Sequence, residues 1–532
     1  MRSQLSSAKT VPVPLYSSAC NIQTHPTFMP LILYCIIALA GCLGLLLILR
    51  RKRRALMLPP GPPGDPLIGH LLRMPSTDSA LVFHEWAKTY GDVMCLEVLG
   101  RTMIILDSYQ AAKDLLEKRG TIYSDRPKLT LYELLGWKPS LAFLSYGKRL
   151  NKHRAMHQSY LNRNKAEDFK VMQTQEARTL VQKLFESTPD EYEKCIGRFA
   201  TGIITQIVAG HRITSNDDPY LQMSHIILEA AAEIGTPGGS PVDFFPILQH
   251  FPSWFPGASH MGVVRARRST VQELYEYPLR TVKNQRTIGQ AQPSFILQQL
   301  EAMDPIEDDL DLKSAAAIMF GAGEATTWSA VSIFLLAMIL HPEYQVMAQK
   351  EIDSVVGDQR LPEFEDRENL PLVDCIVQET LRWRSGVPLG IPHSVREDDL
   401  YRGMLIPKGS LVFANITGMS LDESVYSDAA CFYPERFLPK PAGRGEPYFN
   451  NTVFGFGRRI CTGQYVAENS LWVAIASILA SCKIVNAVDE YGNIIVPDPT
   501  FTEGLGSHPK DTRCIISPRS LSAKTLIREA LI

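Results

Sequence analysis

Ten residues near the C-terminal end constrain this chain more than any other feature: Phe454-Gly455-Phe456-Gly457-Arg458-Arg459-Ile460-Cys461-Thr462-Gly463. The glycines permit a tight, hairpin-like turn, and the apolar run at 466–480 that follows has helical length. Such a loop can point backbone N–H groups at one sulfur. Those donors, the helix N-terminus and the charge on Arg459 favour a thiolate over a thiol. A soft, anionic sulfur presented this way suits iron. A lone cysteine before a helix is ordinarily a small buried hydrophobe; ten residues in this arrangement argue against that.

Composition removes several other classes. The chain has 532 residues, a net charge of −2 and 45% hydrophobic residues, enough to bury a large core. A nucleic-acid binder would carry a clustered basic excess. The ten cysteines are scattered and form no C-x-x-C pair. A disulfide scaffold would be short and cysteine-dense, and a zinc site would want closely paired ligands.

Residues 29–49 form an uncharged apolar run followed at once by Arg50-Arg51-Lys52-Arg53-Arg54. That length suits a transmembrane helix, and the basic flank is expected on the cytoplasmic side. The expectation is a lumenal tail at 1–28, an anchor at 29–49, a basic and Pro-rich hinge at 50–66, and one cytosolic catalytic domain at 67–532. A cleaved signal peptide would carry its basic residues before the run. The stretch Leu58-Pro59-Pro60-Gly61-Pro62-Pro63-Gly64 cannot be helical and is expected as a stiff spacer.

Apolar spacing predicts helices at 111–118, 166–185, 192–208, 312–340, 372–383 and 466–480. The long run at 312–340 is apolar on most sides and is expected to be a buried central helix. Short strands are expected at 93–97, 103–107 and 410–414. The fold class is therefore mainly α with a small β-sheet region.

The ten-residue stretch matches, at every fixed position, the cysteine-ligand loop F-x-x-G-x-R-x-C-x-G of the cytochrome P-450 family, which the chain resembles from about Pro59 to about Pro509. The resemblance implies a cytochrome P-450 fold behind an N-terminal transmembrane helix. It also implies haem b with Cys461 as the metal ligand, and Phe454, Gly455 and Gly463 as part of the haem-binding loop. Cysteine thiolate ligation of haem favours O–O cleavage.

Further matches follow in the family's order. Glu379-Thr380-Leu381-Arg382 resembles E-x-x-R, and residues three apart share a helix face. Pro434-Glu435-Arg436-Phe437 resembles the segment whose arginine joins that pair. The implied trio Glu379, Arg382 and Arg436 holds the cysteine loop in place. Ala322-Gly323-Glu324-Ala325-Thr326-Thr327 resembles the oxygen-activation motif A-G-x-D/E-T-T, with Thr326 as its threonine; a helical threonine bonding back to a carbonyl is the ordinary alternative. Thr326 and Glu324 are the candidate catalytic residues. Arg154, Arg459 and His393 align with positions that meet the haem propionates, and arginine can grip carboxylates bidentately.

The resemblance is closest to fungal secondary-metabolism members. It implies a monooxygenase acting on a lipophilic small molecule, such as a terpenoid or polyketide. Substrate contacts are expected from segments 129–143, 227–245, 319–323, 387–391 and 501–506, which are largely apolar. Electrons are expected from NADPH through a membrane-bound reductase, docked on Lys148, Arg149, Lys152 and His153. The expected location is the endoplasmic reticulum, with no nucleic-acid partner.

The chain departs from the family at named positions. Ala325 stands where the motif's acid is expected, and Glu324 comes one residue early, roughly 100° around the helix. Leu150 replaces the tryptophan of W-x-x-x-R, Thr417 replaces another tryptophan, and Asp422-Glu423 replaces a histidine-containing turn. Proton delivery could therefore run through water or a substrate hydroxyl with Thr326, through a distorted helix that turns Glu324 inward, or in an altered reaction. Besides the monooxygenase, two readings stay open: a haem-thiolate isomerase or dehydratase needing no external electrons, and a weakly active haem-binding membrane protein.

Overall fold

Long apolar segments with helical spacing bury themselves around one another, and the short β-rich segments form sheets beside them. The computed structural model describes residues 57–235, 238–302 and 309–531. The expected anchor at 29–49 and the basic cluster behind it lie outside the described residues. From Pro59 to Ile532 the chain forms one compact unit.

The longer helices are α1 (Ser79–Tyr90), α2 (Lys148–Leu161), α3 (Lys170–Glu186), α4 (Tyr192–Ala209), α5 (Pro219–Ile234), α6 (His260–Thr287), α7 (Phe295–Ala302), α8 (Leu310–Leu340), α9 (Pro342–Val355), α10 (Pro371–Trp383), α11 (Gln464–Ser481) and α12 (Leu521–Glu529). The strands are β1 (Val93–Val98), β2 (Arg101–Leu106), β3 (His393–Ser394), β4 (Asp399–Tyr401), β5 (Met404–Ile406), β6 (Leu411–Ala414), β7 (Cys482–Val488), β8 (Ile494–Ile495) and β9 (Cys514–Pro518). One sheet has the order β1-β2-β6-β3, a second pairs β4 with β5, and a third runs β8-β7-β9. Among the described strands, only β2 and β6 pair in parallel.

Helix α8 is the centre of the fold. It packs against α2, α4, α5, α6, α10 and α11. Among the described residues it alone is long and apolar enough to cross a bilayer, but its apolar window is 72% buried inside the protein. Its hydrophobicity serves a core, as a helix apolar all round requires.

Three local structures differ from expectation. The helix expected at 166–185 is two helices, Arg163–Glu167 and Lys170–Glu186. The segment read as a helix at 111–118 is a short α-turn, Tyr109–Ala112, followed by a π-helical stretch, Lys113–Lys118, with Arg119 N–H bonded to the Asp114 carbonyl at 3.2 Å. The Pro-rich stretch expected as a free spacer is docked on the sheet from Pro60 onward. Prolines leave their carbonyls unpaired within the segment, and edge strand β1 uses one: Cys95 N–H donates to Pro60 O at 2.9 Å. Gly61 permits the approach, because a Cβ there would lie 2.1 Å from the Cys95 carbonyl oxygen.

Candidate active site

The loop that carries Cys461 is closed by its own backbone. The chain turns at Gly455 (φ 77°) and Gly457 (φ 54°), and Cys461 N–H donates to Phe454 O at 2.8 Å. Gly457 is required for a second reason: a Cβ there would meet the Leu116 carbonyl oxygen at 2.4 Å. The loop thus rests directly on the π-helical stretch. Gly463 N–H, just before α11, bonds the Cys461 sulfur. Burial raises the pKa of this thiol, and the Gly463 N–H and Arg154 oppose the rise. Cys461 nevertheless keeps accessible surface, so this side chain, surrounded by protein, faces an internal space.

Helix α2 brackets the cysteine. Arg154 donates to Ile460 O at 3.0 Å, the residue before Cys461. One turn on, His157 Nδ1 lies 3.0 Å from Thr462 Oγ1, the residue after it. The other ring nitrogen, Nε2, lies 3.0 Å from Ala315 O on α8. Burial pushes the His157 pKa down to about 4, so the ring is neutral.

A cluster of cations lies beside this loop. Arg459 donates to the carbonyls of Ser124, Leu141 and Leu144. Arg126 donates to those of Ala142, Ile391 and Pro392. Burial and the neighbouring Arg459 push Arg126 well below its ordinary pKa. Burial lowers Arg459 to about 10. His393, on β3, bonds the Tyr123 carbonyl through Nδ1 at 2.7 Å; burial, then Arg126, drive its pKa far down. Arg126, Arg154 and Arg459 appear in none of the ion pairs among the described residues. The Asp125 charge acts on both Arg126 and Arg459 without a direct ion pair, so the cluster keeps an excess of positive charge that is costly to bury, and the arrangement suits an anionic ligand. Arg126 carries no sequence signal beyond an arginine before a proline, and His157 none beyond its place one turn after Arg154.

On α8, Ala322 and Thr326 are exposed, and Ile318, Gly321 and Ala325 are half-buried, within a mostly buried helix. These residues share one face at a spacing of three and four, so the middle of the core helix opens onto a space. Thr326 Oγ1 bonds back to Ala322 O at 2.9 Å. Glu324 is not on this face. Two residues from Thr326 it lies about 200° around the helix, is 2% exposed and bonds Ser224 of α5. Glu324, expected to act with Thr326, is thus turned by helical periodicity toward α5. Its Oε1 has no hydrogen-bond partner, and burial pushes its carboxyl up to about 8.

Glu379, Arg382 and Arg436 come together with no exposure. Arg382 grips Glu379 bidentately at 2.7 and 2.8 Å, and Arg436 Nε joins it at 3.1 Å. The remaining donors of the two arginines reach the carbonyls of Ser420, Ala429, Ser427, Asp428 and Cys431 and the Glu446 carboxylate. The trio therefore braces the segment 420–436, the platform before the cysteine loop.

A family model described as Cytochrome P450 matches residues 59–512. This chain belongs to the cytochrome P450 family. Fungal relatives agree. Cytochrome P450 monooxygenase 176 of Postia placenta is 37% identical over 508 residues, covering 93% of this chain and 97% of the relative. Cytochrome P450 monooxygenase 136 of the same fungus is 38% identical, covering 93% and 95%. Cytochrome P450 monooxygenase claR of Ampulloclitocybe clavipes is 36% identical, covering 88% of each. The protein is a P450 monooxygenase, and the family implies a cysteine-ligated haem iron. The residues present fit that group: an accessible sulfur in a closed loop, an arginine cluster with excess positive charge beside it, and an opened face on the core helix.

Proposed function

We propose that this P450 oxidises a lipophilic small molecule, of terpenoid or polyketide type, with dioxygen and with electrons passed from NADPH by a membrane-bound flavoprotein reductase. The carrying observation is the juxtaposition made by His157, which ties the residue after Cys461 to the same helix whose apolar face opens at Ile318, Ala322 and Ala325. In this reading Cys461 ligates the iron of haem b, and Phe454, Gly455 and Gly463 shape its loop. Arg126, Arg154, Arg459 and His393 face the propionates. Bound there, haem supplies dioxygen activation. Thr326 offers a hydroxyl at the open face; its present bond to Ala322 O shows where its proton rests. With alanine at 325, the proton source on this face is water or a substrate hydroxyl.

Arg149, Lys152 and His153 all converge on Asp311 at the start of α8, so three of the four candidate docking residues are engaged within the chain. Residues 29–49 are proposed as the anchor, with the catalytic domain on the cytosolic face of the endoplasmic reticulum; the length of the run and the basic cluster behind it support this.

The test is expression with a fungal reductase. Dithionite-reduced membranes should give a strongly red-shifted Soret band with carbon monoxide, lost in Cys461→Ala, and lipophilic substrates should be consumed only with NADPH. Product formation without NADPH would instead favour an isomerase or dehydratase, the reading to which Ala325 lends support.

A further inference from the structure

The bracket that α2 places around Cys461 has two arms of different chemistry. Arg154 holds a backbone carbonyl, which fixes position. His157 holds a hydroxyl, and that has an additional consequence. The His157 ring is 1% exposed and edge-on to Phe295, with ring centroids 5.6 Å apart. A neutral imidazole carries one N–H. Ala315 O can only accept, so Nε2 carries the hydrogen and Nδ1 accepts one from Thr462 Oγ1. The Thr462 hydroxyl hydrogen is thereby directed to α2. The Cys461 sulfur keeps the Gly463 N–H as its donor.

We propose that His157 is a positioning residue for the Cys461 thiolate: it fixes the residue following the ligand and, by accepting the Thr462 hydroxyl hydrogen, keeps that donor off the sulfur. Hydrogen bonds to a ligand atom withdraw electron density from it and tune the metal it binds. A thiolate protected from one more donor remains the stronger electron donor. This rests on the haem-thiolate reading of Cys461.

The experiment compares purified holoproteins: wild type, His157→Leu, Thr462→Val and the double variant. The readouts are the ferric/ferrous midpoint potential and the position of the reduced carbon monoxide Soret band, each per bound haem. In His157→Leu the freed hydroxyl turns to the sulfur, the potential rises and the Soret band shifts to shorter wavelength. Thr462→Val removes a hydroxyl already held away from sulfur, so its potential stays at the wild-type value. In the double variant the shift is reversed, which a merely structural role of His157 would not produce. An unchanged potential in His157→Leu, or a double variant as shifted as His157→Leu, overturns the proposal. If His157→Leu fails to retain haem, Thr462→Val decides: a shifted potential there means the hydroxyl reaches the sulfur in the wild type, and the proposal falls. Failure of the underlying reading looks different, since wild-type protein would then lack the red-shifted band altogether.

Discussion

Buried Arg126 and half-buried Arg459 lie in one cluster, each bonded to three main-chain carbonyls, and burial, then the charge of Arg459, lower the pKa of Arg126, with Asp125 opposing. Carbonyls solvate these guanidiniums but do not neutralise them. An anionic ligand held by both would offset the mutual repulsion. Arg126→Leu is therefore expected to weaken haem retention by roughly tenfold, the lower end for residues that support a metal group. Transfer of haem to excess apomyoglobin measures it; a rate equal to wild type would remove Arg126 from the propionate set.

The trio Glu379, Arg382 and Arg436 has no exposed surface. Removing one member leaves an uncompensated buried charge, at a cost of about 3–5 kcal/mol. Glu379→Ala is expected to give little folded protein at 37 °C, and Arg436→Lys to recover part of it without restoring full stability, because lysine lacks the guanidinium fork. Soluble yield and urea midpoints report the difference.

Asp311 ties α2 to α8. Burial opposes its ionisation, but the bonds from His153, Arg149 and Lys152 hold its carboxyl down at about 2, against an ordinary 3.8. A lowered folded-state pKa means the contribution is complete above 3.8 and is lost as pH falls toward 2. Asp311→Asn should thus be less stable than wild type by about 1 kcal/mol at neutral pH, with the gap closing in acid. Denaturant melts at pH 6 and pH 3 test the sign. The same substitution removes the Asp311 partner of Arg149, and should lower the half-saturating reductase concentration if this cation is a docking residue.

Glu324 behaves in the opposite sense. Its folded-state pKa, raised to about 8 from 4.5, means the folded protein holds a proton that the unfolded chain has already released. Stability from this group falls by about 1.4 kcal/mol for each pH unit across that window. Glu324→Gln is expected to be the more stable protein, by a margin that grows up to pH 8 and is constant above it. Because Glu324 faces α5, the variant should keep most of its turnover, whereas Thr326→Ala on the open face should lose roughly tenfold or more in product per NADPH. A large loss in Glu324→Gln would return this residue to the proton pathway.

The readable parts of the sequence are those whose partners are close in the chain or whose role is written in one segment. The loop from Phe454 to Gly463 closes on itself across seven residues, and Glu379 meets Arg382 within one helical turn. The central helix announces itself because it is apolar on every side, and that alone separates it from the amphipathic helices around it. The π-helical stretch carries the apolar spacing of an ordinary helix, because one extra residue in a turn leaves that pattern nearly unchanged.

Tertiary structure decided what depended on distant partners. Arg126 finds its carbonyls at Ile391 and Pro392, 265 and 266 residues on, and His157 finds Ala315 and Thr462 at separations of 158 and 305. Asp311 draws in cations that had the spacing of a free docking face. Glu324 turns to α5 because two helical residues rotate a side chain to the opposite side. In each case the residue type stated what bonds could be made, and packing of elements far apart in the chain chose which were. By itself the sequence determined the helical core, the cysteine loop and the family; which cations are free, which face of α8 is open and how the cysteine is bracketed were decided only when those elements packed.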